Sequence, residues 1–185
     1  MANMKVFVPC DAIEARKATA AAAQIWGPIY LRFAREKTPV ITTEETPFVP
    51  GKAEVLWQSK RPQVAIIACG TLVHNALLAA KELEKEKIGT IVVNNHTIKP
   101  MDEHTIVDAA RKCGAVVTVE EHQVAGGMGS AVAELLAKKH PTPQEFIGMQ
   151  GVFGESGAPA QLLEKYGMGV RDIKKAVQKA LKRKK

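Results

Sequence analysis

Aromatic residues are scarce in this 185-residue chain: five Phe, two Trp and two Tyr make up 5% of it. Proteins that grip RNA or single-stranded DNA stack bases on aromatic rings. This scarcity, with no nucleic-acid-binding motif in view, argues against a nucleic-acid partner. Cysteine is equally sparse. Cys10, Cys69 and Cys113 are odd in number, far apart and set in or beside apolar segments, which points to reduced thiols and excludes a disulfide framework or a zinc knuckle. No apolar run approaches the roughly 20 residues that cross a bilayer, and the first residues carry no signal-peptide pattern. A cytoplasmic protein with no membrane partner is the expectation. The five histidines, His74, His96, His104, His122 and His140, show no metal-ligand spacing, so no metal site is assigned.

Apolar residues, by contrast, amount to 46% and are spread along the length. That is core enough for one ordinary domain, or one domain plus a piece of another. The net charge of +7 arises largely in Lys174-Lys175 and in the stretch from Lys179 to Lys185. Cations at a helix C-terminus complement its dipole, so the tail is expected to be a solvated helix end.

The chain is organised around residues 115–132. Ala115-Val116-Val117-Thr118-Val119 is a buried β-branched strand that runs out into Glu120, Glu121 and His122, crosses Gly126-Gly127 and enters a helix at about Gly129. In an open parallel sheet, ligands bind beyond the carboxyl ends of strands, where these polar residues fall; solvated loop is the plain alternative. Around it lie a strand at Lys5–Pro9, an alanine-rich helix capped by Asp11 with Glu14, and a strand over Ile29–Arg35. Alternation puts Ile29, Leu31, Phe33 and Arg35 on one face, with Arg35 at the strand mouth. One strand-helix-strand unit is too few strands to close a sheet. Residues 38–63, rich in proline, are expected to be a linker holding a short strand near Val55-Leu56-Trp57. Beyond it come strands at 64–70, 90–95, 115–119 and 145–149, alternating with helices at 72–87, 102–113 and 129–139 and followed by helices from Pro159 onward. The expected fold is α/β: a doubly wound, mostly parallel five-stranded sheet. The expected domains are residues 1–45, a linker over 46–63, and 64–185 with its start from about residue 52.

Two glycine motifs carry little chemistry. Gly126-Gly127-Met128-Gly129 opens a helix, as an anion site would, but Val132 stands where the dinucleotide fingerprint needs glycine or alanine. A tight turn is the simpler reading. Gly154-Glu155-Ser156-Gly157-Ala158 ends in alanine and no strand enters at the serine, so it is not a nucleophile elbow. His122, beside carboxylates, and Arg35, suited to a phosphate or carboxylate, remain as candidates. A surface ion pair is the alternative for Arg35.

The ordered set Val8-Pro9-Cys10-Asp11-Ala12, Gly27-Pro28 through Arg35, Thr97-Ile98-Lys99-Pro100-Met101-Asp102, Val119-Glu120-Glu121-His122 through Ala133, and Phe153-Gly154-Glu155-Ser156-Gly157 resembles the C-terminal part of transketolase. It is most similar to the separate C-terminal subunits found where transketolase is encoded as two chains. Deoxyxylulose-phosphate synthase and the β subunits of 2-oxo-acid dehydrogenases share the architecture and stay as alternatives, as does a non-catalytic interaction module. The resemblance implies that residues 1–45 end a pyrimidine-binding domain and that the remainder is the transketolase C-terminal domain, with one antiparallel strand and a mainly interfacial role. It implies that Arg35 binds the substrate phosphate. Glu121 and His122, at the strand end, stay as candidates for interface or site-proximal positions. Thiamine diphosphate and Mg2+ would be bound in the assembled enzyme, not by this chain alone, and no catalytic residue is assigned here. The implied partners are an N-terminal transketolase subunit, a second copy of this chain and sugar phosphates. The upstream glutamate that activates the cofactor has no counterpart before Met1, so Met1 is expected to be an internal start or a truncation, and the isolated chain inactive.

Overall fold

The computed structural model describes residues 1–184. Its first unit starts with β1 (Lys5–Phe7), followed by α1 (Ala12–Ala23) and β2 (Ile29–Leu31), with β2 parallel to β1. Asp11 caps α1 by accepting the Glu14 amide at 2.9 Å. Glu14 reaches back as a capping-box partner does, but to the Cys10 amide, one residue upstream of the cap.

The second sheet runs β3-β5-β4-β7-β8 and contains β3 (Glu54–Gln58), β4 (Pro62–Ala68), β5 (Gly89–Asn94), β7 (Val116–Gln123) and β8 (Gln144–Met149). Only β3 is antiparallel to its neighbour. The expected five-stranded, mostly parallel α/β sheet is therefore the one observed. Alternate residues of β4 feed two cores, as burial of both sheet faces requires. Val64, Ile66 and Ala68 meet α2 (Leu72–Lys85) and α6 (Val170–Lys182). Ala65, Ile67 and Cys69 meet α3 (Glu103–Cys113) and α4 (Met128–Lys139). The chain also forms α5 (Pro159–Lys165) before α6. Asp102 caps α3, and Gly114 ends it in the left-handed conformation, φ 70°, as its position suggests.

Two departures from expectation have local causes. First, the strand expected over Ile29–Arg35 pairs only through Leu31. Its partner β1 runs into Pro9, the Arg32 amide still donates to the Phe7 carbonyl at 2.9 Å, and nothing beyond is available to pair. Phe33, placed by alternation on the face of Ile29 and Leu31, is half exposed. Second, Thr97–Lys99 is a strand, β6, that alternation did not reveal because it is only three residues long. It pairs antiparallel with β1 and makes the first sheet three-stranded, in the order β2-β1-β6. Among the described residues the basic C-terminal stretch is the expected exposed helix end, with several of its charges paired. Lys174 bridges Glu82 and Glu86, Lys179 and Arg183 hold Glu145, and Lys184 donates to the Cys113 carbonyl.

The proline-rich segment packs closely along the first unit. Asp11 accepts the Ile41 and Thr42 amides at 2.8 and 2.7 Å, Lys17 donates to the carbonyls of Thr43, Glu44 and Thr46, and Phe48 lies between Phe7 and His96. Burial alone would raise the Asp11 pKa, but the amides of Glu14, Thr42 and Ile41 outweigh it and hold the carboxyl below its ordinary value.

His96 is fully buried, its Nε2 has no partner among the described residues, and burial lowers its pKa to about 4. An unfolded chain takes up that proton near pH 6.5, the folded chain only near 4. Stability from this residue is therefore whole above pH 6.5 and falls as pH drops between the two values, by about 3 kcal/mol. His96→Phe keeps the ring against Phe48, so urea unfolding at pH 7 should change by about 1 kcal/mol or less while the loss of stability toward pH 4.5 becomes shallower than in the parent. Equal pH slopes in the two proteins would refute this.

Candidate functional site

In the second sheet β4 has β5 on one side and β7 on the other, and the helices after β4 and β7 pack on opposite faces. The crevice between the carboxyl ends of β4 and β7 is thus the topological switch point, the usual ligand position in such sheets. It is occupied by the protein itself. Glu120, 3% exposed, accepts the Met128 amide at 2.7 Å and the Gly129 amide at 2.8 Å. The N-terminus of α4, a candidate anion site by sequence, holds an internal carboxylate.

That arrangement explains the glycines better than a tight turn alone. A Cβ on Gly127 would run into the Gln123 carbonyl and the Glu120 carboxylate, and one on Gly129 would stand 2.6 Å from Thr118 Oγ1. The residue at the N-cap of α4 is Gly127, which has no side chain to cap with, so an acceptor seven residues upstream of it supplies the bonds. Burial raises the Glu120 pKa, an effect only partly offset by those two amides and by the nearby His122 and Arg32. The sequence places Glu120 with Glu121 and His122 at the strand end but assigns it no role; an uncapped glycine at the start of α4 is the signal available for the one it has.

The sequence-derived candidates lie on the rim of this crevice. Glu121 and His122 are exposed. Glu121 Oε2 accepts from Thr71 Oγ1 at 3.0 Å, and its carbonyl accepts from Arg32 Nη2 at 2.7 Å. His122 Nδ1 lies 2.9 Å from the Gln123 carbonyl and 3.9 Å from Glu120. Arg35 is not brought together with them. It sits four residues past β2, exposed, with no side-chain partner among the described residues.

Between β1–α1 and the segment after β2 lies a cleft of about 350 Å³, lined by Pro9, Cys10 and Asp11 on one side and by Phe33, Ala34, Glu36 and Lys37 on the other. Arg35 is flanked on both sides by lining residues. Within the cleft wall the Cys10 thiol is pushed up by burial and then by Glu14, so it is an inert buried thiol and not a nucleophile. The described residues contain no group of three His, Cys, Asp or Glu side chains placed to hold a metal ion.

Residues 51–173 match the family model described as transketolase, C-terminal domain. The chain belongs to the transketolase C-terminal domain family. It is 40% identical over 182 residues to a 6-deoxy-6-sulfo-D-fructose transketolase subunit of a Clostridium species, a match covering 98% of this chain and 56% of that protein. It is 37% identical over 174 residues to rat transketolase, spanning 94% of this chain but 28% of that enzyme. Among solved structures it superposes on a split-gene transketolase, described as an inactive β4 tetramer, with TM-score 0.94 and 47% identity over 99% of this chain and 59% of that one. Transketolase from Leishmania mexicana gives TM-score 0.78 at 26% identity, over 98% of this chain and 26% of that one. The chain spans little more than half the length of the split-type relatives and about a quarter of the single-chain transketolases.

The Glu120 cap of this transketolase C-terminal domain carries a testable cost. Glu120→Ala leaves the Met128 and Gly129 amides without acceptors and should destabilise the chain by about 1–3 kcal/mol in urea unfolding. Glu120→Gln keeps one acceptor and should lose less. Equal stability for all three proteins would show that the cap is dispensable.

Proposed function

We propose that this chain is the C-terminal part of a transketolase and supports transfer of a two-carbon ketol unit between sugar phosphates, with Arg35 gripping the substrate phosphate. The support is the family match over residues 51–173, the likeness along nearly the whole chain to the split-gene transketolase, and the place of Arg35 beyond the carboxyl ends of the parallel pair β1–β2. Lack of a partner does not by itself distinguish Arg35, since Arg61, Arg111 and Arg171 are also unpaired among the described residues. What distinguishes it is that its neighbours Ala34 and Glu36 line a cleft at the strand ends. A guanidinium there offers a planar fork matched to phosphate oxygens.

The chain would work with an N-terminal transketolase subunit and a second copy of itself, in the cytoplasm and within pentose phosphate metabolism. The relative described as an inactive β4 tetramer favours both self-association and inactivity of the chain alone. Thiamine diphosphate and Mg2+ belong to the assembled enzyme in this proposal. The described residues do not suit the metal, and no step here is assigned to either group. Thiamine diphosphate would supply the carbanion chemistry when bound; this chain would supply the phosphate grip and the scaffold. Glu121 and His122, exposed on the rim, fit an interface role better than a chemical one.

In the enzyme assembled with its partner subunit, Arg35→Ala should raise KM for a phosphorylated aldose about 10- to 100-fold, from loss of a charged hydrogen bond, with a smaller effect on kcat. KM for the same aldose without its phosphate should stay within about twofold. A KM for the phosphorylated substrate equal to that of the parent enzyme would remove Arg35 from the phosphate site.

A further inference from the structure

Three residues before Arg35, Arg32 is the last residue of the β2 region with a fixed course. Its amide donates to the Phe7 carbonyl at 2.9 Å and its Nη2 to the Glu121 carbonyl at 2.7 Å. The first bond belongs to the three-stranded sheet. The second crosses to the end of β7 in the five-stranded sheet, beside buried Glu120, whose charge Arg32 also favours. Past Arg32 no backbone amide of residues 33–40 finds a backbone partner among the described residues, and the chain is next secured where Asp11 accepts the Ile41 amide at 2.8 Å. The segment carrying Arg35 is therefore a span pinned at two ends, and Arg32 is the nearer pin.

From this geometry we infer that Arg32 is a positioning residue: by bonding the Glu121 carbonyl it holds segment 33–38, and with it Arg35, at the mouth of the first sheet. The inference rests on the phosphate-binding proposal for Arg35 only in its catalytic consequence. Because the acceptor is a main-chain oxygen, replacing the Glu121 side chain leaves the bond in place. Only the guanidinium end can be removed.

The test is tryptic cleavage after Arg35 and Lys37 in the full chain, followed by mass spectrometry. Arg32→Met keeps the aliphatic stem and deletes the donors; cleavage at these two sites should quicken about three- to tenfold, while the thermal midpoint and cleavage elsewhere stay near parental. Arg32→Lys, which retains a cation able to reach the same carbonyl, should recover most of the parental rate, and Glu121→Ala should leave it unchanged. In the assembled enzyme Arg32→Met should raise KM for a phosphorylated aldose several-fold without moving KM or kcat for the unphosphorylated one. Parental cleavage rates in a folded Arg32→Met chain, or faster cleavage with no change in KM where Arg35→Ala does raise it, would overturn the inference. If neither substitution moves KM, the phosphate role of Arg35 falls and the cleavage rates still decide whether Arg32 holds the segment.

Discussion

The run from Gly89 to Lys99 belongs to two sheets at once, and the relation of the two units depends on it. Residues 89–94 form β5, fully buried in the five-stranded sheet, and after a two-residue step residues 97–99 form β6 of the three-stranded sheet. At the step, the Asn95 amide donates to the Ala68 carbonyl of one sheet and the His96 carbonyl accepts the Val8 amide of the other, both at 2.8 Å. A strand segment cannot slide without moving both ladders, so the register of β1 is tied to that of β5. The junction is costly, since Asn94 Oδ1, both side-chain polar atoms of Asn95 and His96 Nε2 are buried without partners among the described residues. Hydrophobic contact offsets that cost: Val8 joins one core cluster and Cys10 the other.

This junction also explains where chemistry can and cannot occur. With β1 held against the ends of β4 and β5, the switch-point crevice of the larger sheet faces the first unit and not solvent. Its anion-binding helix end is filled by Glu120, and Arg32 reaches in to the Glu121 carbonyl. Two devices that bind ligands in other α/β proteins are here spent on folding and docking. A cleft of about 350 Å³ lies at the carboxyl ends of β1 and β2.

The periodic parts of this architecture were legible in the sequence because burial enforces them. Strands covered on both faces read as β-branched runs such as Val64–Ala68 and Thr90–Asn94, and helices covered on one face read as Ile173, Ala176, Val177 and Ala180. Elements fixed by a partner far away in sequence were not legible. β6 is three residues long, and only its pairing with β1 makes it a strand. Glu120 looked like its neighbours Glu121 and His122, yet the strand's last inward turn buries the first of the three and exposes the other two. Alternation would place Glu120 and His122 on one face, and the register irregularity between Val119 and Gln123 is what breaks that pattern.

The same reasoning separates the two arginines of the Leu31–Arg35 stretch. If β2 had continued to residue 35, Arg35 would share a face with Ile29 and Leu31, and Arg32 would share the opposite face with Tyr30. Because pairing stops at Leu31, alternation no longer governs residues 32–35, and position is set by whatever each side chain can bond. Arg32 has a carbonyl within reach and is spent on the joint between the sheets. Arg35 makes no side-chain bond among the described residues and stays exposed beside a cleft.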